Sequence, residues 1–142
     1  MILYCDTSAL LKRFVQEVGS DEVRDLFSQA TQVVTSSVAF AEGVAALARR
    51  HREGDLSTHA HEEARSAFMA DYEGLWRVPV AAAVNQKVSE LVLDYPLRGF
   101  DALHLASALL VREHAGRAPF FACYDKNMNR AAAAVGLQTL SV

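Results

Sequence analysis

Met1-Ile2-Leu3-Tyr4-Cys5-Asp6-Thr7-Ser8-Ala9-Leu10-Leu11-Lys12 opens the chain, and its reading decides the fold. Ile2 to Cys5 is apolar without alternation, the pattern of a strand buried on both faces in the middle of a parallel sheet. Asp6 stands at the carboxyl end of that strand, where open α/β sheets place their ligands. Thr7, Ser8 and the spacing of Leu10, Leu11 and Phe14 start a helix. Taken alone, Asp6 has two readings: an N-cap whose carboxylate accepts a backbone N–H, or a site acid. Acids in comparable places further along the chain favour the second.

Working outward, Gly19-Ser20 breaks the chain before a short helix over Asp21 to Ala30. Val33-Val34-Thr35 is a second strand, and Ser36 or Ser37 caps a helix over Val38 to Arg52. Phe40, Val44 and Leu47 line one face of that helix. Glu42 is its only charge before Arg49, and its helical neighbours are Val38, Ala39, Ala45 and Ala46. A lone carboxylate among small apolar residues is poorly explained as a solvated position; the alternative is an alanine-rich exposed face. The turn Gly54-Asp55-Leu56-Ser57 leads to a helix capped by Ser57 or Thr58 and running to about Tyr72. His59 and His61 face different ways on it and read as surface residues, not a metal pair. Trp76 to Val80 is a third strand that Pro79 keeps short or moves to an edge. A helix over Ala82 to Leu93 ends before Tyr95-Pro96.

After Phe100 the chain is helical and almost wholly apolar to Leu110, hence buried on most sides. Asp101 stands in the first turn, where the helix dipole alone would favour an acid. His104 lies one turn on, on the same face, and reads as a structural hydrogen-bonding group. Gly116 and Pro119 bracket a loop. Phe120 to Tyr124 is a fourth strand ending in Asp125, followed by a helix over Lys126 to Val135, a C-cap at Gly136, and a fifth strand over Leu137 to Val142. Asp125 thus repeats the order seen at Asp6: apolar strand, acid, helix.

Strands alternating with helices predict an α/β fold, a three-layer α/β/α sandwich around a mainly parallel, roughly five-stranded sheet. Its 142 residues suit one domain, residues 1–142, and 51% hydrophobic content argues against disorder. No apolar packet spans a bilayer, and no basic segment precedes the first apolar run, so neither a membrane segment nor a signal peptide is expected. Cys5 and Cys123 both fall in interior strands and read as buried free thiols, which fits a reducing cytoplasm. A net charge of −3 argues against nucleic-acid binding through bulk positive charge but leaves room for a local basic rim.

In such a sheet Asp6 and Asp125 share a rim, and Glu42 and Asp101, in the first turns of two helices, can lean towards it. Two carboxylates about 4 Å apart repel by roughly 1–4 kcal/mol at effective dielectrics of about 80 to 20. A hard divalent cation with oxygen ligands offsets that repulsion, and Mg²⁺ or Mn²⁺ is the natural choice. The chemistry this suits is phosphodiester hydrolysis with water as nucleophile.

Asp6-Thr7-Ser8-Ala9-Leu10, Ala41-Glu42, Phe100-Asp101-Ala102-Leu103-His104-Leu105-Ala106 and Tyr124-Asp125-Lys126, with Ala131-Ala132 through Gly136-Leu137, resemble the PIN domain, specifically VapC-type toxins. The resemblance covers essentially the whole chain and keeps all four acids in order. It implies a metal-dependent ribonuclease in the cytoplasm, held inactive by a cognate antitoxin protein and usually a homodimer. Asp6, Glu42, Asp101 and Asp125 would form the acidic site, with Asp6 and Asp101 the inner ligands of Mg²⁺ (or Mn²⁺). Glu42 and Asp125 would act through water or position the nucleophile, and Ser8 would orient the site by hydrogen bonding. The family often has Thr or Ser two residues before its last acid, where this chain has Cys123, so the resemblance is weakest around Asp125. Lys12, Arg13, Arg98, Lys126 and Arg130 are candidate phosphate contacts near the rim, and Arg49-Arg50-His51-Arg52 suits the end of a helix. Two other readings are a catalytically silent PIN-like protein-binding module and an aspartyl phosphotransfer domain. The latter lacks the second acid that haloacid-dehalogenase-type enzymes carry where Ser8 stands, and the acidic pair that receiver domains need.

Overall fold

The computed structural model describes residues 1–141 and forms a single parallel sheet in the order β3-β2-β1-β4-β5. The strands are β1 (Ile2–Cys5), β2 (Gln32–Ser36), β3 (Trp76–Val78), β4 (Phe120–Ala122) and β5 (Gln138–Thr139). Every residue of β1 is buried, as its unbroken apolar run requires of a central strand. Ile2 and Tyr4 point into one core, Leu3 and Cys5 into the other. The first core is closed by α5 (Ala82–Asp94), α6 (Gly99–Ala115) and α7 (Lys126–Ala134). The second is closed by α1 (Thr7–Leu11), α2 (Ser20–Gln29), α3 (Ala39–Arg52) and α4 (Thr58–Glu73). The architecture is the expected three-layer α/β/α sandwich.

The chain winds outward from β1 to β2 to β3, then crosses back to place β4 on the other side of β1. The crevice beyond the carboxyl ends of β1 and β4 is therefore a topological switch point, the usual ligand position of open α/β sheets. β4 is shorter than Phe120 to Tyr124. Its last partner pair is Cys5↔Ala122, the Asp6 N–H takes the Ala122 carbonyl at 3.1 Å, and beyond that β1 has turned into α1. β3 is a short edge strand, and Pro79 follows it at once. β5 is confined to two residues, and the last residue of the strand expected there, Val142, lies outside the described residues.

One helix end and one helix start differ from expectation. α1 has only five residues, and the chain continues past Leu11 in turns rather than along one helix to Phe14. α3 is capped by neither Ser36 nor Ser37. Val38 holds the cap position without a side-chain bond, and the Ser36 hydroxyl accepts the Val38 N–H at 3.2 Å, too early to reach the first helical amides. Ser57 does cap α4, accepting from the Ala60 N–H at 3.1 Å. Cys5 and Cys123 are buried and unbridged. Among the described residues no helix is long and apolar enough to cross a membrane.

Candidate active site

The fold delivers acids to the switch point from three directions. Asp6 leaves β1 in extended conformation and caps α1: its Oδ1 accepts from the Ala9 N–H at 2.9 Å and from the Ser8 hydroxyl at 2.7 Å. Both readings of this residue therefore coexist. One oxygen serves as the helix cap, and the Cys123 thiol lies beside the same carboxylate. Asp125 is built the same way, capping α7 through Oδ1, which accepts from the Met128 N–H at 2.9 Å. Asp101, in the first turn of α6, makes no hydrogen bond among the described residues.

Charge ties these three together. Burial pushes the Asp101 carboxyl above its ordinary value, and the negative charges of Asp125 and Asp6 push it further, with His104 and Arg98 opposing. A half-buried acid raised by two other acids, against the pull of a histidine and an arginine, is a place where negative charge is concentrated. No three histidine, cysteine or acidic side chains among the described residues form a ready-made ion site. The donor set nonetheless fits a hard dication, since every candidate ligand atom is a carboxylate oxygen and those of Asp6 and Asp125 not used in capping remain available.

Glu42 stands differently. It lies in the first turn of α3, and its Oε1 accepts from the Thr7 hydroxyl at 2.7 Å and from His104 Nε2 at 2.8 Å. Burial raises this carboxyl, but the bonds from His104 and Thr7 outweigh that and hold it below its ordinary value, as a carboxylate. Its charge is not among those that raise Asp101. The structure thus brings Asp6 and Asp125 within electrostatic reach of Asp101 and ties Glu42 to a buried histidine, His104, that also acts on Asp101.

Sequence reasoning missed that histidine's partners. His104 is 3% exposed and bonds outside its own helix, to Glu42 through Nε2 and to the Tyr4 hydroxyl through Nδ1 at 2.9 Å. The one available signal was a shared face with Asp101; nothing in helical spacing points to Tyr4 or Glu42.

Cys123 sits between the strand-end acids. Its Sγ accepts the Asp125 N–H at 3.3 Å. Burial, then the adjacent Asp6, push the thiol far above its ordinary value, and it stays protonated. Of the basic candidates, Lys12 is bound to Glu17 at 3.0 Å and to the Val18 carbonyl, and Arg13 pairs with Asp71 at 3.3 Å. Arg98, Lys126 and Arg130 are exposed and make no salt bridge among the described residues. Arg50, from the basic end of α3, pairs with Glu17 at 2.7 Å, a structural use.

The PIN domain family model matches residues 3–134. Ribonuclease VapC45 of Mycobacterium tuberculosis is 32% identical over 139 residues, covering 95% of this chain and 92% of that protein. In three dimensions the fold is similar to M. tuberculosis VapC20, a sarcin-ricin loop cleaving toxin, with a TM-score of 0.66 at 18% identity over 96% of both chains. It is also similar to a toxin–antitoxin complex from Klebsiella pneumoniae, with a TM-score of 0.64 at 16% identity over 98% of this chain and 96% of that one.

Proposed function

The chain belongs to the PIN domain family, and from that premise we propose that it is a divalent-metal-dependent endoribonuclease, the toxin of a toxin–antitoxin pair. The observation that carries this reading is the placement of Asp6 after β1, Asp125 at the start of α7 and Asp101 in the first turn of α6, with the first two close enough to act on the half-buried carboxyl of the third. Asp6 and Asp101 would hold Mg²⁺ or Mn²⁺ directly, with Asp125 and Glu42 acting through water. Such an ion, when bound, supplies activation of water and stabilisation of charge at a phosphodiester. The protein's own groups do the rest. Ser8 fixes the Asp6 carboxylate by donating to Oδ1, and Thr7 and His104 fix that of Glu42. Arg98, Lys126 and Arg130, free of salt bridges among the described residues, are the cations available to hold the RNA backbone. Water adds to phosphorus and the scissile P–O bond breaks, leaving one phosphate end and one hydroxyl end. The working form is a cytoplasmic homodimer, silenced by a cognate antitoxin protein.

The test is incubation of the protein with total cellular RNA in Mg²⁺ or Mn²⁺, with and without chelator, followed by mapping of the new ends. The expected result is cleavage at discrete sites that disappears with chelator. Equal cleavage in chelator would contradict the metal role. No cleavage under any condition, by a protein that still binds a partner, would favour the silent binding module.

A further inference from the structure

Tyr4 belongs to the innermost strand, fully buried, with its ring stacked on Phe121 at 5.6 Å between centroids and nearly parallel. An apolar residue would serve that packing equally well, so the hydroxyl needs its own account. It lies 2.9 Å from His104 Nδ1, a contact across 100 residues of sequence. On the other side of the ring, His104 Nε2 lies 2.8 Å from Glu42 Oε1, which also accepts from Thr7.

Hydrogen-bonding capacity orders the protons in this chain. A carboxylate only accepts, so Nε2 must carry the proton it shares with Glu42. In the neutral ring Nδ1 is then a bare acceptor, buried and in need of a donor. Tyr4 can supply one, since its hydroxyl lies within hydrogen-bond distance of Nδ1. Ser107 also approaches the phenol, but its own proton goes to the Leu103 carbonyl at 2.8 Å. With a neutral ring the chain runs from Tyr4 O–H to Nδ1 and from Nε2–H to Oε1. Oε1 is then saturated by two donors, and Oε2 is the one Glu42 oxygen without a hydrogen bond among the described residues.

We propose that Tyr4 and His104 are positioning residues that hold His104 in its Nε2-protonated tautomer and lock Glu42 with Oε1 inward, leaving Oε2 for the acidic site. The proposal rests on the reading of Glu42 as part of that site. It gives a core strand control over the acid that stands apart from the other three. Outer partners of this kind change metal affinity by about 10–100-fold when removed.

The experiment is nitrogen-15 spectroscopy of the His104 side chain in the full-length protein at neutral pH, together with Mn²⁺ titration of four proteins: wild type, Tyr4→Phe, Glu42→Gln and the double variant. Tyr4→Phe keeps the ring stacked on Phe121 and removes only the hydroxyl. The wild type should show a ring protonated at Nε2 alone. Tyr4→Phe should add a population protonated at Nδ1 and weaken Mn²⁺ binding by about 10-fold. That loss should vanish when Glu42 is already Gln. A wild-type ring protonated at Nδ1, alone or with Nε2, overturns the proposal even if Tyr4→Phe fails to fold. So does a loss on Tyr4→Phe that persists undiminished in the Glu42→Gln background. A wild type that binds no Mn²⁺ at all sinks the metal reading of the acids instead, and the His104 spectrum still decides the positioning chain.

Discussion

Asp101→Asn is expected to lose RNA cleavage by about 10²–10³-fold, the scale set by removing one charge-stabilising group at a reacting centre. The same substitution is expected to make the ion-free protein more stable. Asp101 is raised by burial, Asp125 and Asp6, so the native state favours its neutral form more than the unfolded chain does. The sign follows directly: its favourable contribution is complete below the ordinary carboxyl value of 3.8 and is lost as pH rises through the raised native value. At neutral pH the full cost is present. Asparagine has the shape of the neutral acid and removes that cost. Solvent screens a half-exposed group, so the gain in Tm is about 1–2 °C. Melting curves without divalent ion and cleavage assays with it should therefore move in opposite directions. A fall in both would mean that Asp101 is a structural group.

The second large effect is expected at Gly43, the residue after Glu42. Added methyl carbon there would meet the Phe68 ring, with Cε1 at 2.7 Å and Cζ closer still. Phe68 has no room to yield: it is fully buried and packed against Phe14, Phe40 and Tyr72. Overpacking of this kind costs about 1–3 kcal/mol, and alanine's better helix propensity returns up to about 1 kcal/mol. Gly43→Ala should lower Tm by roughly 3–6 °C. The loss should shrink in a Phe68→Leu background, where the ring is gone, and that non-additivity separates a clash from a general helix effect. Stabilisation by Gly43→Ala alone would show that α3 and α4 are less tightly packed than described.

Much of this molecule could be read from the chain before its structure. The apolar run Ile2–Cys5 announced a central parallel strand, and the repeat of apolar run, acid and helix at Asp6 and Asp125 announced two acids that cap the helices they precede. Pro79 announced the edge position of β3. These are local signals, carried by period and by turn chemistry. What local signals cannot carry is which distant side chains meet. Tyr4 looked like one more apolar residue of β1 and His104 like a structural residue of α6, yet they meet at Glu42 because the strand order puts α6 against the face of β1 that Tyr4 occupies. The early end of β4 was hidden for a related reason: Cys123 and Tyr124 have strand composition, but the partner strand has already turned away. Lys12 and Arg13 looked available to substrate, and only the fold revealed Glu17 and Asp71 beside them.

The account depends on Asp6, Asp101 and Asp125 crowding their negative charge into one place that a dication can share. The most direct measurement is a carbon-13 titration of the Asp101 carboxyl, in wild type and Asp125→Asn, with and without Mg²⁺. The expected midpoint lies above 3.8 in the ion-free wild type, falls towards it when Asp125 is neutral, and drops further when Mg²⁺ is added to the wild type. A midpoint at the ordinary value that responds neither to Asp125→Asn nor to Mg²⁺ would contradict the shared site.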